Sequence, residues 1–300
     1  MPDKVYLEIT NVCNLACAFC HGTKREKRSV TREEFELLTD RLRGIPYLYF
    51  HLMGEPLTHP DLPYFVGRAR EKGFFPMITT NGTLLGARGR ELINARPHKV
   101  SISLHAIEGN GKAPSDGYMR SVIGFADEAS AAGIITVLRL WNEGGAEKEN
   151  PAILRALETA FPAPWQDHRS GKKIKEKLFL ETGEKFDWPD AEKEGEREVL
   201  SLKQMSLKGT EPAGNAPTRV FCYGLRDQIG VLADGTVVPC CLDAEGEIAL
   251  GNLFDLTLAE IVNSPRARAM YDGFTEHRAV EPLCRTCGYA KLKEYRKNKF

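Results

Sequence analysis

Strand-like and helix-like segments alternate over roughly the first 160 residues, which restricts the chain to folds built on a parallel sheet. Runs rich in β-branched and aromatic residues predict five strands, and helical periodicity predicts a helix after each of them. The first helix also has a capping box, formed by Thr31 and Glu34. The predicted strands are KVYLEIT (4–10), YLYFHL (47–52), FFPMITT (74–80), KVSISLH (99–105) and IITVLRL (134–140).

A sixth strand is predicted near KLFLETGEKF (177–186). Six strand–helix units are fewer than a closed (β/α)8 barrel needs. We therefore predict an α/β protein with a partial, open (β/α)6 TIM-like barrel.

A change of composition divides the chain. Residues 187–220 are rich in Glu, Lys, Gly and Pro and have weak periodicity, which is typical of a linker. Beyond it, Asp234-Gly235 predicts a hairpin between two short strands, and a helical segment follows. We therefore expect a core domain over residues 1–205 and a small α+β domain over residues 206–300.

The charges of the chain balance, with 41 basic and 41 acidic residues. No net field favours nucleic acid or an acidic membrane, and the N-terminus has no pattern of a signal peptide. The basic run KREKR (24–28) could contact a phosphate or an acidic peptide, but a solvated loop is the favoured interpretation. We predict a soluble cytoplasmic protein that binds neither nucleic acid nor a membrane.

Three of the eight cysteines lie close together, directly after the first strand: Cys13, Cys17 and Cys20. In a reducing compartment, clustered cysteines indicate metal binding rather than disulfides. A cubane iron–sulfur cluster has four irons, so three thiolates leave one iron open to a small molecule. Catalytic zinc with three protein ligands is the alternative that spacing leaves open.

The spacing Cys13-x-x-x-Cys17-x-x-Cys20, with Phe19 before the last cysteine, resembles the signature of the radical S-adenosylmethionine (SAM) superfamily. The resemblance implies a [4Fe–4S] cluster whose open iron binds SAM. It also implies reductive cleavage of SAM to a 5′-deoxyadenosyl radical, which abstracts a hydrogen atom from the substrate. An electron donor such as flavodoxin or ferredoxin would supply the electron.

Further stretches resemble the same family. MGEP (53–56) is similar to its Gly-Gly-Glu-Pro turn, with Met53 in place of the first glycine, so the resemblance implies that Gly54 and Glu55 bind the amino group of SAM. It also implies further contacts with SAM, from Phe19 at the adenine, Asn81, Ser103 and Arg139.

Five more cysteines lie in the last 80 or so residues: Cys222, Cys240, Cys241, Cys284 and Cys287. Four thiolates make a closed site, for zinc or an iron–sulfur cluster. The segment around them resembles the C-terminal SPASM domain or its shorter twitch form, which implies one auxiliary [4Fe–4S] cluster on Cys222, Cys240, Cys284 and Cys287. Because adjacent side chains of a strand point to opposite faces, Cys240 is preferred over Cys241.

One auxiliary cluster with four protein ligands favours a net oxidation, or a related modification, of a small molecule or a peptide. The first predicted strand begins at residue 4, so we expect no leader-binding module before it, and we expect a peptide maturase of this kind to work with a separate leader-binding partner. A hypothesis of another class is a non-catalytic interaction module with zinc at both cysteine sites.

Overall fold

The computed structural model describes residues 2–169, 171–185, 188–189 and 220–290. Eleven strands in these residues form a single sheet. They are β1 (Lys4–Leu7), β2 (Tyr47–Tyr49), β3 (Phe75–Thr80), β4 (Lys99–Ser103), β5 (Ile135–Glu143), β6 (Gln166–His168), β7 (Gly171–Lys175), β8 (Leu178–Glu184), β9 (Gln228–Val231), β10 (Thr236–Val238) and β11 (Gly251–Asn252).

Nine α-helices accompany the sheet within the described ranges. They are α1 (Arg32–Arg41), α2 (Leu62–Glu71), α3 (Leu85–Ala95), α4 (Ala106–Gly109), α5 (Asp116–Ala131), α6 (Asn150–Ala160), α7 (Leu258–Val262), α8 (Pro265–Thr275) and α9 (Pro282–Thr286). The capping box of Thr31 and Glu34 is present at the start of α1. None of these helices has the length and apolar character needed to cross a membrane.

The six predicted strands all form and are parallel neighbours in the order β1-β2-β3-β4-β5-β8. This confirms the α/β partial barrel. The sequence did not indicate the antiparallel hairpin of β6 and β7, which pairs with β8 and forms one edge of the sheet.

The C-terminal segment joins the same sheet. β9 pairs in parallel with β1, and the turn at Asp234-Gly235 connects it to antiparallel β10, as the sequence indicated. The sheet thus extends through both expected domains. The boundary expected at residues 205 and 206 lies outside the described residues.

Alternation along the strands separates two environments. Val5 and Leu7 of β1, like Leu48 of β2, are fully buried in the core that the helices cover. Tyr6 and Tyr49 alternate with them and stack on each other at 4.7 Å between ring centroids. Since successive side chains of a strand point to opposite faces, the inner face of the partial barrel carries aromatic and polar groups.

Candidate active site

A cavity of about 520 Å³ opens at the carboxyl ends of the parallel strands. Its wall is built from the loop after β1, the turn after β2 and the ends of β3 and β4. Eight residues expected at the first site line it: Cys13, Cys17, Phe19, Cys20, Gly54, Glu55, Asn81 and Ser103. The strand order therefore brings together side chains that are distant in sequence.

The three-cysteine loop, residues 12–27, is closed at its base by Asn11. The Asn11 side chain donates to the Glu26 carbonyl at 2.8 Å and accepts from the Arg28 amide at 2.8 Å. Asn11 itself is buried. A short polar side chain that satisfies two backbone groups across the loop fixes where the loop starts and ends.

The same loop docks on the segment after β4. The Ala18 amide donates to the Gly109 carbonyl at 2.7 Å, and the Ala16 amide donates to Asn110 Oδ1 at 2.9 Å. Asn110 Nδ2 donates to Cys17 Sγ at 3.0 Å. Asn110, which the sequence analysis did not single out, therefore holds both the backbone of the loop and one of its thiols.

Phe19 packs against this segment as well. A Cβ built on Gly109 would lie 2.3 Å from Phe19 Cε1, so only glycine leaves room for the ring. The Phe19 ring lies 5.0 Å from the ring of His105 and remains 44% exposed on its other side. An exposed ring face beside the cavity is compatible with the expected adenine contact, which stays a prediction.

Two thiols of the loop, those of Cys13 and Cys17, have raised pKa values. Burial raises the pKa of the Cys17 thiol to about 11, and the hydrogen bond from Asn110 opposes that rise. Burial likewise raises the pKa of Cys13. Soft thiolates are the ligands that iron–sulfur clusters take, so a donor set of three cysteines on one cavity fits such a cluster. Among the described residues, no three His, Cys, Asp or Glu side chains are arranged to hold a single metal ion.

The turn after β2 requires a glycine at its second position. Gly54 has a φ of +79°, and a Cβ built on it would lie 2.3 Å from the Thr10 carbonyl oxygen. Met53, which replaces the family's first glycine, is not among the residues with positive φ. The departure from the family pattern is therefore compatible with the backbone of this turn.

Glu55 is buried, and its carboxylate is oriented by three hydrogen bonds. Oε1 accepts from the Leu57 amide at 3.0 Å and from Thr80 Oγ1 at 2.7 Å, while Oε2 accepts from the Asn81 amide at 2.7 Å. Burial raises the pKa of Glu55, and these bonds oppose the rise. A carboxylate has about four acceptor positions, so one on Oε2 is left for a ligand donor.

Asn81 and Ser103 differ in the number of hydrogen bonds that their side chains make with other described residues. Asn81 Oδ1 accepts from both the amide and the hydroxyl of Thr83, and Asn81 Nδ2 donates to Asn14 at 2.9 Å. Asn81 thereby connects the three-cysteine loop to the end of β3. The Ser103 hydroxyl lines the cavity and has no hydrogen bond with the residues that the structure describes.

Arg139 lies outside the wall of this cavity. Its guanidinium stacks on Trp141 at 4.4 Å and faces Glu181 at 3.5 Å. Within the described residues its buried Nε has no hydrogen-bond partner, and neither does Nδ1 of His51, which does line the cavity. Burial, followed by the charge of Arg139, lowers the pKa of His51 to about 3, so the imidazole is neutral at physiological pH.

A second, smaller cavity of about 30 Å³ lies in the C-terminal part of the chain. All four expected auxiliary ligands line it: Cys222, Cys240, Cys284 and Cys287. Burial raises the pKa of Cys222 to about 11 and also raises that of Cys240. Four thiols around one small cavity are the donor set of a closed cluster site.

Cys241 does not line that second cavity. It packs with Tyr6, Leu52 and Val238 on the inner side of the sheet. Burial raises the pKa of Cys241 to about 12, although a hydrogen bond with Tyr6 opposes the rise. The two adjacent cysteines thus lie in different environments, with Cys240 at the small cavity and Cys241 beside β1.

Two family models match the two parts of the chain that contain these cysteine sites. Residues 7–141 match the Radical SAM superfamily, and residues 222–288 match SPASM, an iron-sulfur cluster-binding domain. The chain therefore carries a Radical SAM domain followed by a SPASM domain. These two domains confirm the predicted cofactors, SAM and iron–sulfur clusters. Because the SPASM model describes an iron-sulfur cluster-binding domain, iron–sulfur binding is favoured over the zinc alternative.

Curated relatives of this chain are distant. It is 29% identical over 166 residues to Fe-coproporphyrin III synthase of Methanosarcina barkeri, covering 51% of the chain and 40% of that protein. It is 23% identical to the subtilosin biosynthesis protein AlbA of Bacillus subtilis, covering 100% of the chain and 69% of AlbA. The first curated relatives are matched over only 36% and 40% of their lengths.

Among solved structures, the chain resembles BtrN, crystallised in complex with AdoMet and 2-DOIA. The TM-score is 0.59 at 19% identity, and the match covers 96% of this chain and 93% of BtrN. At that identity the likeness concerns the fold alone.

A buried ion pair within the radical SAM domain was not anticipated. Glu8 is fully buried, and its carboxylate accepts from both terminal nitrogens of Arg25, at 2.8 and 2.7 Å. Arg25 belongs to the basic run interpreted above as a solvated loop, and for Arg25 that interpretation is wrong. The signal in the sequence was a charged residue, Glu8, inside the otherwise apolar run VYLEI (5–9).

Two consecutive residues, 188 and 189, each line one of the two cysteine sites. Trp188 lines the large cavity and donates from Nε1 to the Phe19 carbonyl at 2.9 Å, whereas Pro189 lines the small cavity. Consecutive residues therefore connect the wall of the three-cysteine site to the wall of the four-cysteine site.

Proposed function

We propose that this chain is a radical SAM enzyme with one auxiliary [4Fe–4S] cluster, and that it oxidises or otherwise modifies a peptide or a small molecule. The observation that supports this best is the contrast between the two cysteine sites. Three thiols line a cavity of about 520 Å³ together with Glu55, whereas four thiols line a space of about 30 Å³. The first site has room for a ligand beside a cluster, and the second has little room beyond its four thiols.

In this proposal Cys13, Cys17 and Cys20 hold the first cluster, and Cys222, Cys240, Cys284 and Cys287 hold the second. When bound, the first cluster and SAM supply a radical that removes a substrate hydrogen atom, and the second cluster supplies an electron acceptor.

The chain's own residues position these groups. Gly54 allows the turn to approach the backbone of residues 10 and 11, and Glu55 offers a pre-oriented carboxylate to the ammonium group of SAM. Ser103 offers a hydroxyl that has no other hydrogen bond among the described residues. Because Glu55 is already held by Leu57, Thr80 and Asn81, little reorganisation is needed when a ligand binds.

A peptide is the favoured substrate class. AlbA, a protein of bacteriocin biosynthesis, aligns with the whole of this chain. A separate leader-binding partner and a flavodoxin or ferredoxin donor are part of this proposal. Modification of a small molecule is the second candidate, because the relative from Methanosarcina barkeri is a porphyrin synthase.

The test uses protein reconstituted with iron and sulfide under anaerobic conditions, with dithionite as reductant. We expect SAM to yield 5′-deoxyadenosine, and we expect Cys17→Ala to abolish this product. Peptide and small-molecule fractions of a cell lysate are then compared for their stimulation of cleavage. No 5′-deoxyadenosine from a cluster-loaded wild-type protein would overturn the proposal.

The oxidoreductase role needs its own variant. Cys284→Ala with Cys287→Ala should still cleave SAM but form no oxidised product. Full turnover of substrate by that double variant would remove the role assigned to the auxiliary cluster.

A further inference from the structure

The wall of the large cavity carries few charged side chains. Apart from the thiols, Glu55 is its acidic residue and Lys27 its basic one, among the described residues that line it. The adjacent histidine, His51, is neutral at physiological pH. A ligand inside this cavity therefore meets one carboxyl side chain, one lysine side chain and the three thiols.

Lys27 and the Gly54-Glu55 turn contact the same short backbone segment. Lys27 Nζ lies 3.5 Å from the Asn11 carbonyl oxygen. Gly54 packs against the backbone of Asn11, and the Glu55 amide donates to the Val12 carbonyl at 2.9 Å. Residues 11 and 12 thus contact both the lysine and the turn that carries Glu55.

SAM carries an ammonium group and a carboxylate on one carbon atom. A site for such an end needs an acidic and a basic side chain on the wall of one cavity, as Glu55 and Lys27 are. We infer that Lys27 binds the carboxylate of SAM while Glu55 binds its ammonium group. The inference rests on the proposed function, because it concerns the same cofactor site.

Other basic side chains are less suited to this role. Arg139 lies outside the cavity wall, beside Glu181 and Trp141. Arg25 is held by Glu8, and Arg28 by Glu34 and the Ala233 carbonyl. Among the described residues, Lys27 has no acidic partner, so its charge is available to a ligand.

The test compares two ligands on cluster-loaded protein by equilibrium dialysis: SAM, and decarboxylated SAM, which keeps the amine and lacks the carboxylate. Lys27→Met keeps the aliphatic stem and removes the charge, and Lys27→Arg restores a cation. Lys24→Met is the matched control, because Lys24 lies in the same basic run but outside the cavity wall.

We expect Lys27→Met to raise the Kd for SAM about tenfold, the loss typical of one charge-assisted hydrogen bond. Its Kd for decarboxylated SAM should equal that of the wild type, Lys27→Arg should recover most of the affinity, and Lys24→Met should change neither Kd. An unchanged Kd for SAM, or an equal loss for both ligands, would overturn the inference and leave the proposed function standing. A cluster-loaded wild type without affinity for SAM would overturn both.

Discussion

Arg25 and Glu8 form a bidentate ion pair at the point where three segments of the chain meet. Each Glu8 oxygen also accepts a hydrogen bond from a backbone amide. Oε1 accepts from the Ala233 amide at 3.2 Å, and Oε2 accepts from the Met53 amide at 3.0 Å. Arg25 Nε also donates to the Ala244 carbonyl at 2.8 Å. The pair therefore fixes the three-cysteine loop, the turn after β2 and the C-terminal hairpin relative to one another.

Removing Arg25 should destabilise the whole assembly. In Arg25→Met the fully buried Glu8 carboxylate loses its charge partner, which costs about 3–5 kcal/mol of unfolding free energy. Denaturant unfolding measures the loss. Arg43→Met breaks the exposed pair with Asp40 and should leave the unfolding midpoint unchanged. Equal effects of the two variants would show that the Glu8 pair has no special role.

The turn after β2 offers a test of backbone geometry. Gly54→Ala places a methyl group 2.3 Å from the Thr10 carbonyl at a positive φ, and the conformation alone costs about 1–3 kcal/mol. We expect this variant to lose SAM binding in equilibrium dialysis. Met53→Gly restores the family's first glycine and should bind SAM within about threefold of the wild type. Normal SAM binding by Gly54→Ala would contradict the assigned turn.

Asn110 should tune the first cluster through its hydrogen bond to Cys17. Hydrogen bonds to a cluster sulfur stabilise the reduced, more negative state. Asn110→Ala should therefore lower the midpoint potential, by an amount on the order of tens of millivolts, in a redox titration followed by EPR. Asn94→Ala, at an exposed position of α3, is the control. A potential that does not move would show that the Asn110–Cys17 contact does not persist in the loaded protein.

The adjacent cysteines should differ in iron content. Cys240 lines the small cavity and Cys241 does not, so Cys240→Ala should lose about four irons per chain while Cys241→Ala keeps them all. Iron and acid-labile sulfide assays measure this. The opposite pattern would assign Cys241 as the ligand.

The parallel core could be predicted from the sequence because its signals are local. Alternating apolar runs and the capping box at Thr31 need only neighbouring residues to be recognised. The same holds for the three-cysteine loop and for Glu55, since each directly follows a strand. These residues gather at one edge because parallel strands share their carboxyl ends.

Features that depend on long-range pairing could not be predicted. β9 joins β1 across more than two hundred residues, and no local signal marks that partnership. Arg25 looked solvated because its partner, Glu8, lies on a different element. Asn110 reaches Cys17 only after the loop has docked, so its role follows from packing rather than from spacing.

The most direct test of two cluster sites is the iron and acid-labile sulfide content of the chain after anaerobic purification and reconstitution. Two cubane clusters predict about eight irons and eight sulfides per chain. About four irons would leave a single cluster and remove the redox role of the C-terminal cysteines. Zinc without iron would contradict the radical SAM mechanism altogether.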